Sequence, residues 1–234
     1  MQWLSEALSY RSIGEPEVLR RATEALSAPE TDTTSEERLK LRVLRELEDV
    51  IEATGMACSF AKAGGFPHLI RAMVGSGYIG VRKLACQIFA SAVQNNPAVQ
   101  VIALRAGAYT ALVPCLLQEL NCELKALYVS CFSSLLRGQS EDGREVFAKN
   151  QGILIVKELL QDTAAVRVVK KVLLLLADLF YNEKLVGKDD IVTKAQESGL
   201  IQQLQVLQQH WDEEVQQMAV RATSNALEPL TKLH

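Results

Sequence analysis

The sequence is poor in residues that interrupt regular structure or build enzyme sites, with six prolines, thirteen glycines and three histidines among 234 residues. No apolar run approaches the ~20 residues of a membrane-spanning helix. The first residues lack the basic flank and apolar core of a secretory signal. The net charge of −3 argues against a nucleic-acid groove, which usually needs a basic surface. These absences predict a soluble intracellular protein of long regular elements, with no membrane or nucleic-acid partner.

The usual signatures of catalysis and of metal or cofactor binding are also missing. The chain has no GxSxG, HExxH or P-loop motif, and no histidine has a second histidine or a cysteine three or four residues away. Residues 75–80 read GSGYIG and match GxGxxG, but a dinucleotide fingerprint follows a strand, whereas a predicted helix precedes this one. We interpret it as a loop between helices. The sequence therefore predicts no metal, no cofactor and no enzymatic activity.

The cysteines form no CxxC pair, and their neighbours are typical of a helix core. Unpaired thiols are usual in a reducing compartment, and buried thiols pack like small apolar side chains. We therefore expect all five to be buried and reduced. A cysteine–histidine pair formed only on folding stays open, and it would make the protein a cysteine-dependent enzyme. The five are Cys58, Cys86, Cys115, Cys122 and Cys131.

Helical periodicity dominates the chain after Ser35, and small residues interrupt it at regular intervals. Gly64, Gly107, Gly152 and Gly199 are 43, 45 and 47 residues apart. Each is followed by a short amphipathic segment and then by a longer one, and we expect each glycine to permit a sharp turn. A period in the forties with paired or tripled helices is typical of armadillo and HEAT repeats, which stack to bury their apolar faces. The sequence predicts an all-α, right-handed armadillo solenoid of four repeats.

A capping helix pair is predicted before the repeats. Residues 36–53 carry the apolar stripe of a helix, with Thr34 and Glu37 as its capping box and Gly55 at its end. The preceding residues 1–34 contain an acidic, proline-containing stretch and predict a flexible N-terminal segment, with a short helix at 17–27. The repeat domain is accordingly expected over residues 35–230.

The third helix of each repeat lines the concave surface of an armadillo solenoid, where partners usually bind. Scaffolds for extended peptides place a ladder of Trp and Asn there, but the third helices of this chain contain no Trp, and Asn95 and Asn96 are its only adjacent asparagines. Its third helices instead carry charged and small polar residues, which suit a folded, acidic partner surface. These residues are Arg82, Lys83, Gln87, Ser91, Lys125, Ser130, Ser133, Lys170, Lys171 and Asp178.

Three segments resemble a known family. Residues 81–100 contain the pattern R-x-x-A…Q-N-N-P-x-x-Q, residues 124–130 read LKALYVS, and residues 44–66 contain L-E-x-x-I-E…A-x-x-F-x-x-x-G-G. These patterns resemble those of the Fes/Sil/Hsp-binding-protein group over about residues 36–210. The group comprises armadillo-type nucleotide exchange factors of the 70-kDa heat-shock (DnaK-class) chaperones. The resemblance favours its cytosolic branch, because lumenal members carry a secretion signal.

The resemblance implies a monomeric co-chaperone that binds lobe II of the chaperone's nucleotide-binding domain in its concave face. Displacement of that lobe releases ADP, lets ATP enter and promotes substrate release, without bond chemistry by the exchange factor. Cytosolic members compete for the chaperone's substrate site with a flexible N-terminal segment; residues 1–34 correspond to it in position, but their own sequence does not indicate that role. An armadillo adaptor for another protein or a peptide is the alternative. The implied partner-binding residues are Ala57, Arg82, Asn95, Lys125, Lys170 and Lys171.

Overall fold

The computed structural model describes residues 15–31, 33–54, 56–138, 141–188 and 190–228. These residues form fourteen α-helices, and no strand occurs among them. The helices are α1 Glu15–Ser27, α2 Thr34–Thr54, α3 Ala57–Lys62, α4 Gly65–Gly75, α5 Ile79–Val93, α6 Pro97–Arg105, α7 Ala108–Gln118, α8 Cys122–Leu136, α9 Glu141–Lys149, α10 Gly152–Leu159, α11 Val166–Leu185, α12 Asp190–Glu197, α13 Leu200–Leu207 and α14 Glu213–Leu227.

The helices from α3 onward form four repeats of three helices, and α1 and α2 precede them as a capping pair. The third helices stack in the order α2, α5, α8, α11 and α14, with α2 serving as the third helix of the cap. The second helices α1, α4, α7, α10 and α13 stack beside them. The first helices α3, α6 and α9 pack against one another in the same order. This arrangement confirms the predicted all-α armadillo solenoid of four repeats with a capping pair.

The core lies between the stacked layers, where aromatic side chains join helices and repeats. Phe66 on α4 contacts Phe60 on α3 and Phe89 on α5, with ring centroids 5.8 and 5.7 Å apart. Phe132 on α8 and Phe147 on α9 lie 6.3 Å apart and join the second repeat to the third. All five rings are fully buried. Burial of such side chains is the main stabilising term, at about 25 cal/mol per Å² of apolar surface.

The turns between the first and second helices confirm the predicted turn role for three of the four glycines. Gly64, Gly107 and Gly199 have φ of 80°, 84° and 77°, a left-handed conformation that glycine adopts without strain. In the third repeat the left-handed residue is Gln151, with φ of 58°. The expected turn role of Gly152 is therefore wrong. Gly152 begins α10, where a Cβ atom would lie 2.3 Å from the Phe147 ring, so glycine is needed there for space.

Part of the predicted flexible segment 1–34 packs on the repeats. Helix α1 includes the predicted helix 17–27 and buries an apolar stripe against α2 and α4. After it, Glu30 accepts hydrogen bonds from Ser76 Oγ at 2.6 Å and from the Gly77 N–H at 2.8 Å. The acidic stretch is thus anchored by its own carboxylate. Residues 1–14 lie outside the described residues.

The start of α2 differs by one residue from the predicted capping box. The helix begins at Thr34, and Thr33 Oγ1 accepts a hydrogen bond from the Glu36 N–H at 3.3 Å. The capping residue is therefore Thr33 and not Thr34. The Glu36 carboxylate turns back to the Thr31 N–H at 2.6 Å. Gly55, predicted to end the helix, lies outside the described residues.

The five cysteines are free, and they differ in exposure. Cys86 and Cys131 are buried as predicted, and burial raises the pKa of the Cys86 thiol. Cys58 and Cys115 are partly buried. Cys122 is exposed, so the prediction of burial is wrong for it, because it lies at the exposed first turn of α8.

The segment that matches GxGxxG spans the end of α4 and the start of α5, which confirms its interpretation as a loop between helices. Within the described part of the chain, no single helix is long and apolar enough to cross a membrane. Helices α6 and α7 would meet that test of length and composition only as a pair, and the chain bends by 79° between them.

Candidate functional site

A groove of about 600 Å³ crosses the concave layer of third helices, and we call it the concave groove. Its charged lining consists of four basic and two acidic side chains, so it carries a net charge of +2 in a chain of net charge −3. The charged residues are Arg45, Lys83, Arg167, Lys171, Glu48 and Glu123, and the others are Leu41, Gly80, Leu84, Gln87, Ala126 and Leu127.

Helical periodicity explains why these residues share one surface. Residues three or four positions apart lie on the same face of a helix. Helix α5 accordingly contributes Lys83 and Gln87, and α11 contributes Arg167 and Lys171. Stacking of the third helices then places these faces side by side.

Lys171 is a half-buried basic side chain of the groove with no carboxylate partner among the described residues. Its Nζ donates a hydrogen bond to Ser130 Oγ on α8 at 2.6 Å. Burial lowers the pKa of Lys171, and the neighbouring Arg167 guanidinium lowers it further. An approaching carboxylate would stabilise the charged form of Lys171, because it would offset both the cost of burying the ammonium group and its repulsion by Arg167.

The two groove carboxylates have opposite environments. Glu123 Oε2 lies 2.5 Å from Lys83 Nζ, and this hydrogen bond lowers the pKa of Glu123. Burial raises the pKa of Glu48, with further contributions from Glu52 and Asp49. Only the Glu123 carboxylate is therefore held in its charged form by a hydrogen-bonded cation. The arrangement suits binding of an acidic surface.

Of the six predicted partner-binding residues, the structure brings only Lys171 into the lining of this groove. Arg82 and Lys170 turn instead toward the next repeat. Arg82 Nη1 lies 3.2 Å from Glu119 Oε2, and Lys170 Nζ lies 3.1 Å from Asp212 Oδ2. Both cations are thereby paired within the protein.

The other predicted residues lie in three different settings. Ala57 is at the start of α3, a first helix, and is 5% exposed in the core. Asn95 is exposed in the turn between α5 and α6, with φ of 53°. Lys125 is half-buried on α8. None of the three lines the groove.

Sequence reasoning missed several charged groove residues. Arg45 and Glu48 lie on α2, which was predicted as a cap and turns out to stack as a third helix. Arg167 lies one helical turn before Lys171, so the i, i+4 spacing was an available signal. Glu123 lies two helical turns before Ser130, on the same face of α8.

Comparison with known protein sequences identifies a family and its relatives. The sequence model of the SIL1/FES1/HPBP1 C-terminal domain matches residues 56–224. Hsp70-binding protein 1 of Mus musculus is 29% identical over 220 residues, which cover 88% of this chain and 58% of that protein. Nucleotide exchange factor SIL1 of Xenopus laevis is 29% identical over 153 residues, or 64% of this chain and 33% of that protein. The chain thus spans less than two thirds of the length of these curated relatives.

Solved structures similar to this chain include armadillo proteins. A computationally designed armadillo repeat protein for modular peptide recognition has a TM-score of 0.73 at 21% identity, over 96% of this chain and 94% of that one. The armadillo-repeats-only protein of Plasmodium falciparum has a TM-score of 0.68 at 14% identity, over 91% and 93%. At these identities the similarity shows the fold alone.

Proposed function

The chain belongs to the SIL1/FES1/HPBP1 family, and on that premise we propose that it is a nucleotide exchange factor for an Hsp70 chaperone. The family match carries the proposal, because residues 56–224 run from the start of the first repeat into the last helix. The names of the relatives, an Hsp70-binding protein and a nucleotide exchange factor, support it. The role is that of a non-catalytic co-chaperone.

The concave groove is the surface proposed to receive the nucleotide-binding domain of the chaperone. Its net positive lining favours an acidic surface of that domain, through complementary charge. Lys171 and Arg167 are the proposed centre of the contact, because their mutual repulsion and the burial of Lys171 are relieved by a carboxylate.

Exchange would follow from a difference in affinity between nucleotide states. If the protein binds the chaperone better when its nucleotide cleft is open, then it weakens ADP binding, and ADP weakens the complex by the same factor. A scaffold that displaces one lobe must itself resist bending. The pairs Arg82–Glu119 and Lys170–Asp212, which join neighbouring repeats, support that stiffness.

The proposal is tested by stopped-flow release of a fluorescent ADP analogue from a cytosolic Hsp70 with and without the protein. A saturable acceleration is expected, and Lys171→Glu should reduce it at least tenfold. Lys149→Glu, a charge reversal at an exposed lysine of α9, is the matched control and should retain the acceleration. If no acceleration occurs although circular dichroism confirms a helical fold, the adaptor alternative replaces the proposal.

The proposal includes a cytosolic location and a monomeric state, both predicted from the sequence. Imaging of a fluorescent fusion should show diffuse cytosolic signal, and light scattering after size exclusion should give the mass of one 25.8-kDa chain. Signal confined to an organelle, or a mass of two chains, would contradict the respective part.

A further inference from the structure

The turns between second and third helices contain the same side-chain hydrogen bond in all four repeats. In each, a side chain accepts a hydrogen bond from the N–H two residues later. Ser76 Oγ accepts from Tyr78 at 3.2 Å. Glu119 Oε1 accepts from Asn121 at 2.9 Å, and His210 Nδ1 accepts from Asp212 at 3.0 Å. In the third repeat, Asp162 Oδ1 accepts from Ala164 at 3.2 Å. We call the turns of the first, second and fourth repeats, 76–78, 119–121 and 210–212, the edge turns.

The middle residue of each edge turn projects outward. It is Gly77 in the first repeat, but Leu120 in the second and Trp211 in the fourth, with exposures of 92% and 75%. The following residue then caps the third helix. Asn121 Oδ1 accepts from the Leu124 N–H, and Asp212 Oδ1 from the Val215 N–H, each at 3.0 Å. Hydrogen bonds of the residues on both sides thus fix the backbone in the conformation that exposes Leu120 and Trp211.

The position of Trp211 is fixed further by its neighbours. Since His210 Nδ1 accepts from Asp212, its Nε2 carries the proton and donates to the Thr163 carbonyl at 3.0 Å, which ties the turn to the third repeat. Trp211 stacks on the buried His210 ring, with centroids 5.1 Å apart. A large aromatic residue in an ordered, exposed position loses little conformational entropy on binding, which is the property of interface anchors.

Carboxylates surround these anchors, and two of them are not neutralised by a neighbouring cation. The edge-turn region comprises residues 118–123, 161–164 and 211–214, and it contains no lysine or arginine. Its acidic residues are Glu119, Glu123, Asp162, Asp212, Glu213 and Glu214. Four of them are already paired with cations of the third helices: Glu119 with Arg82, Glu123 with Lys83, and both Asp212 and Glu214 with Lys170. Asp162 and Glu213 are exposed and have no ion-pair partner among the described residues. An apolar surface flanked by carboxylates favours a partner that is apolar and basic.

Helix packing sets the span between the two anchors. Adjacent packed helices lie about 8–10 Å apart, so Leu120 and Trp211, two repeats apart, are separated by about 20 Å. An extended chain advances about 3.3 Å per residue, so about six residues cover this distance. Asp162 lies in the turn of the intervening repeat.

We propose that the edge-turn region binds an extended, basic segment of a partner protein. Two apolar side chains of that segment, six residues apart, pack on Leu120 and Trp211. Lysine or arginine side chains between them face Asp162, and a cation near the indole face gains a cation–π contact. This surface is separate from the concave groove, since the lining of the groove shares only Glu123 with it.

The test uses a fluorescein-labelled ten-residue peptide with leucines at positions 2 and 8, lysines at 4 and 6, and serines elsewhere. Fluorescence anisotropy against the full chain should show saturable binding. Trp211→Ser and Leu120→Ser should each weaken it at least tenfold, and circular dichroism should show both variants folded, because both side chains are exposed. Leu154→Ser, at a 52%-exposed leucine of α10, and Lys171→Met in the groove should leave it unchanged.

Several results would overturn the proposal. These are no saturable binding, equal binding by the double variant Leu120→Ser/Trp211→Ser, equal binding of a peptide with glutamates in place of the lysines, or equal binding of one with leucines at 2 and 5. Trp211-dependent binding to phosphatidylcholine vesicles without peptide binding would assign the anchors to a lipid surface instead. The peptide assay contains no chaperone, so its outcome is independent of the exchange assay.

Discussion

Lys170 Nζ lies 3.1 Å from the carboxylate of Asp212, and that carboxylate caps α14 through the Val215 N–H. One cation thus joins the third repeat to the turn that begins the last helix of the fourth. Arg82 makes the corresponding contact with Glu119 between the first and second repeats. Lys125, the fourth residue of α8 as Arg82 is of α5, has no ion-pair partner among the described residues.

Adjacent lysines on α11 should therefore respond differently to removal of their charge. Lys170→Met should lower the melting temperature, because it leaves Asp212 without its cation. Lys171→Met should weaken chaperone binding at least tenfold and leave the melting temperature nearly unchanged. Differential scanning calorimetry and a binding titration on both variants measure the two effects.

The effect of Lys170→Met should depend on pH in a defined direction. The backbone hydrogen bond from Val215, together with Lys170, lowers the pKa of Asp212. A carboxylate with a lowered folded-state pKa contributes stability above its unfolded pKa and loses it as pH falls. The difference from the parent protein should thus be constant from about pH 5 to pH 8 and shrink below about pH 4. A difference that grows on acidification would contradict the assignment.

A substitution at Ala57 tests whether this residue is buried in the core or exposed as a partner contact. Arginine at this 5%-exposed position would bury an unpaired charge, and Ala57→Arg should lower the unfolding free energy by about 3–5 kcal/mol. Ala98→Arg is the matched control, because Ala98 is exposed in the first turn of α6, the first helix of the next repeat. Urea denaturation measures both. Equal stability of the two variants would mean that Ala57 is exposed, and it would support the predicted contact between Ala57 and the partner.

The fold was largely predictable because its signals are local and repeated. The longer amphipathic segment predicted after each glycine is present as the third helix of its repeat, α5, α8, α11 and α14. The first helices were not delimited, since segments such as Ala57–Lys62 are too short for a clear helical period.

The site was less predictable because it depends on which face of a helix meets its neighbour. Arg82 and Lys83 are adjacent in sequence, yet one pairs with Glu119 at the edge and the other lines the groove. Residue type alone does not show which of these two basic side chains lines the groove. The edge turns were missed for a similar reason, since Leu120 and Trp211 share a position only when the repeats are aligned by their third helices.

The turn between α9 and α10 should respond in opposite directions to changes at two adjacent residues. Gln151 has φ of 58°, and Gln151→Gly should raise the unfolding free energy by about 1 kcal/mol, because a side chain is disfavoured there. Gly152→Ala should lower it by about 1–3 kcal/mol, because the added Cβ would meet the Phe147 ring at 2.3 Å. Chemical denaturation of both variants provides the measurement. The same sign for both would show that the turn residue is misassigned.

The anchor of the N-terminal segment should be sensitive to acid. Burial acts to raise the pKa of Glu30, but hydrogen bonds from Ser76, Gly77 and Lys40 outweigh it, so the pKa is lowered overall. The contact therefore stabilises the fold above the pKa of an unfolded glutamate and is lost as pH falls through the lower folded value. The amide resonance of Gly77, which donates to Glu30, should titrate with a midpoint below 4.5.

Glu30→Gln should abolish this titration and lower the melting temperature at pH 7, whereas Glu24→Gln, at an exposed carboxylate of α1, should do neither. A Gly77 midpoint above 4.5 would mean that burial dominates, and that the segment is held by the apolar face of α1 and not by the carboxylate.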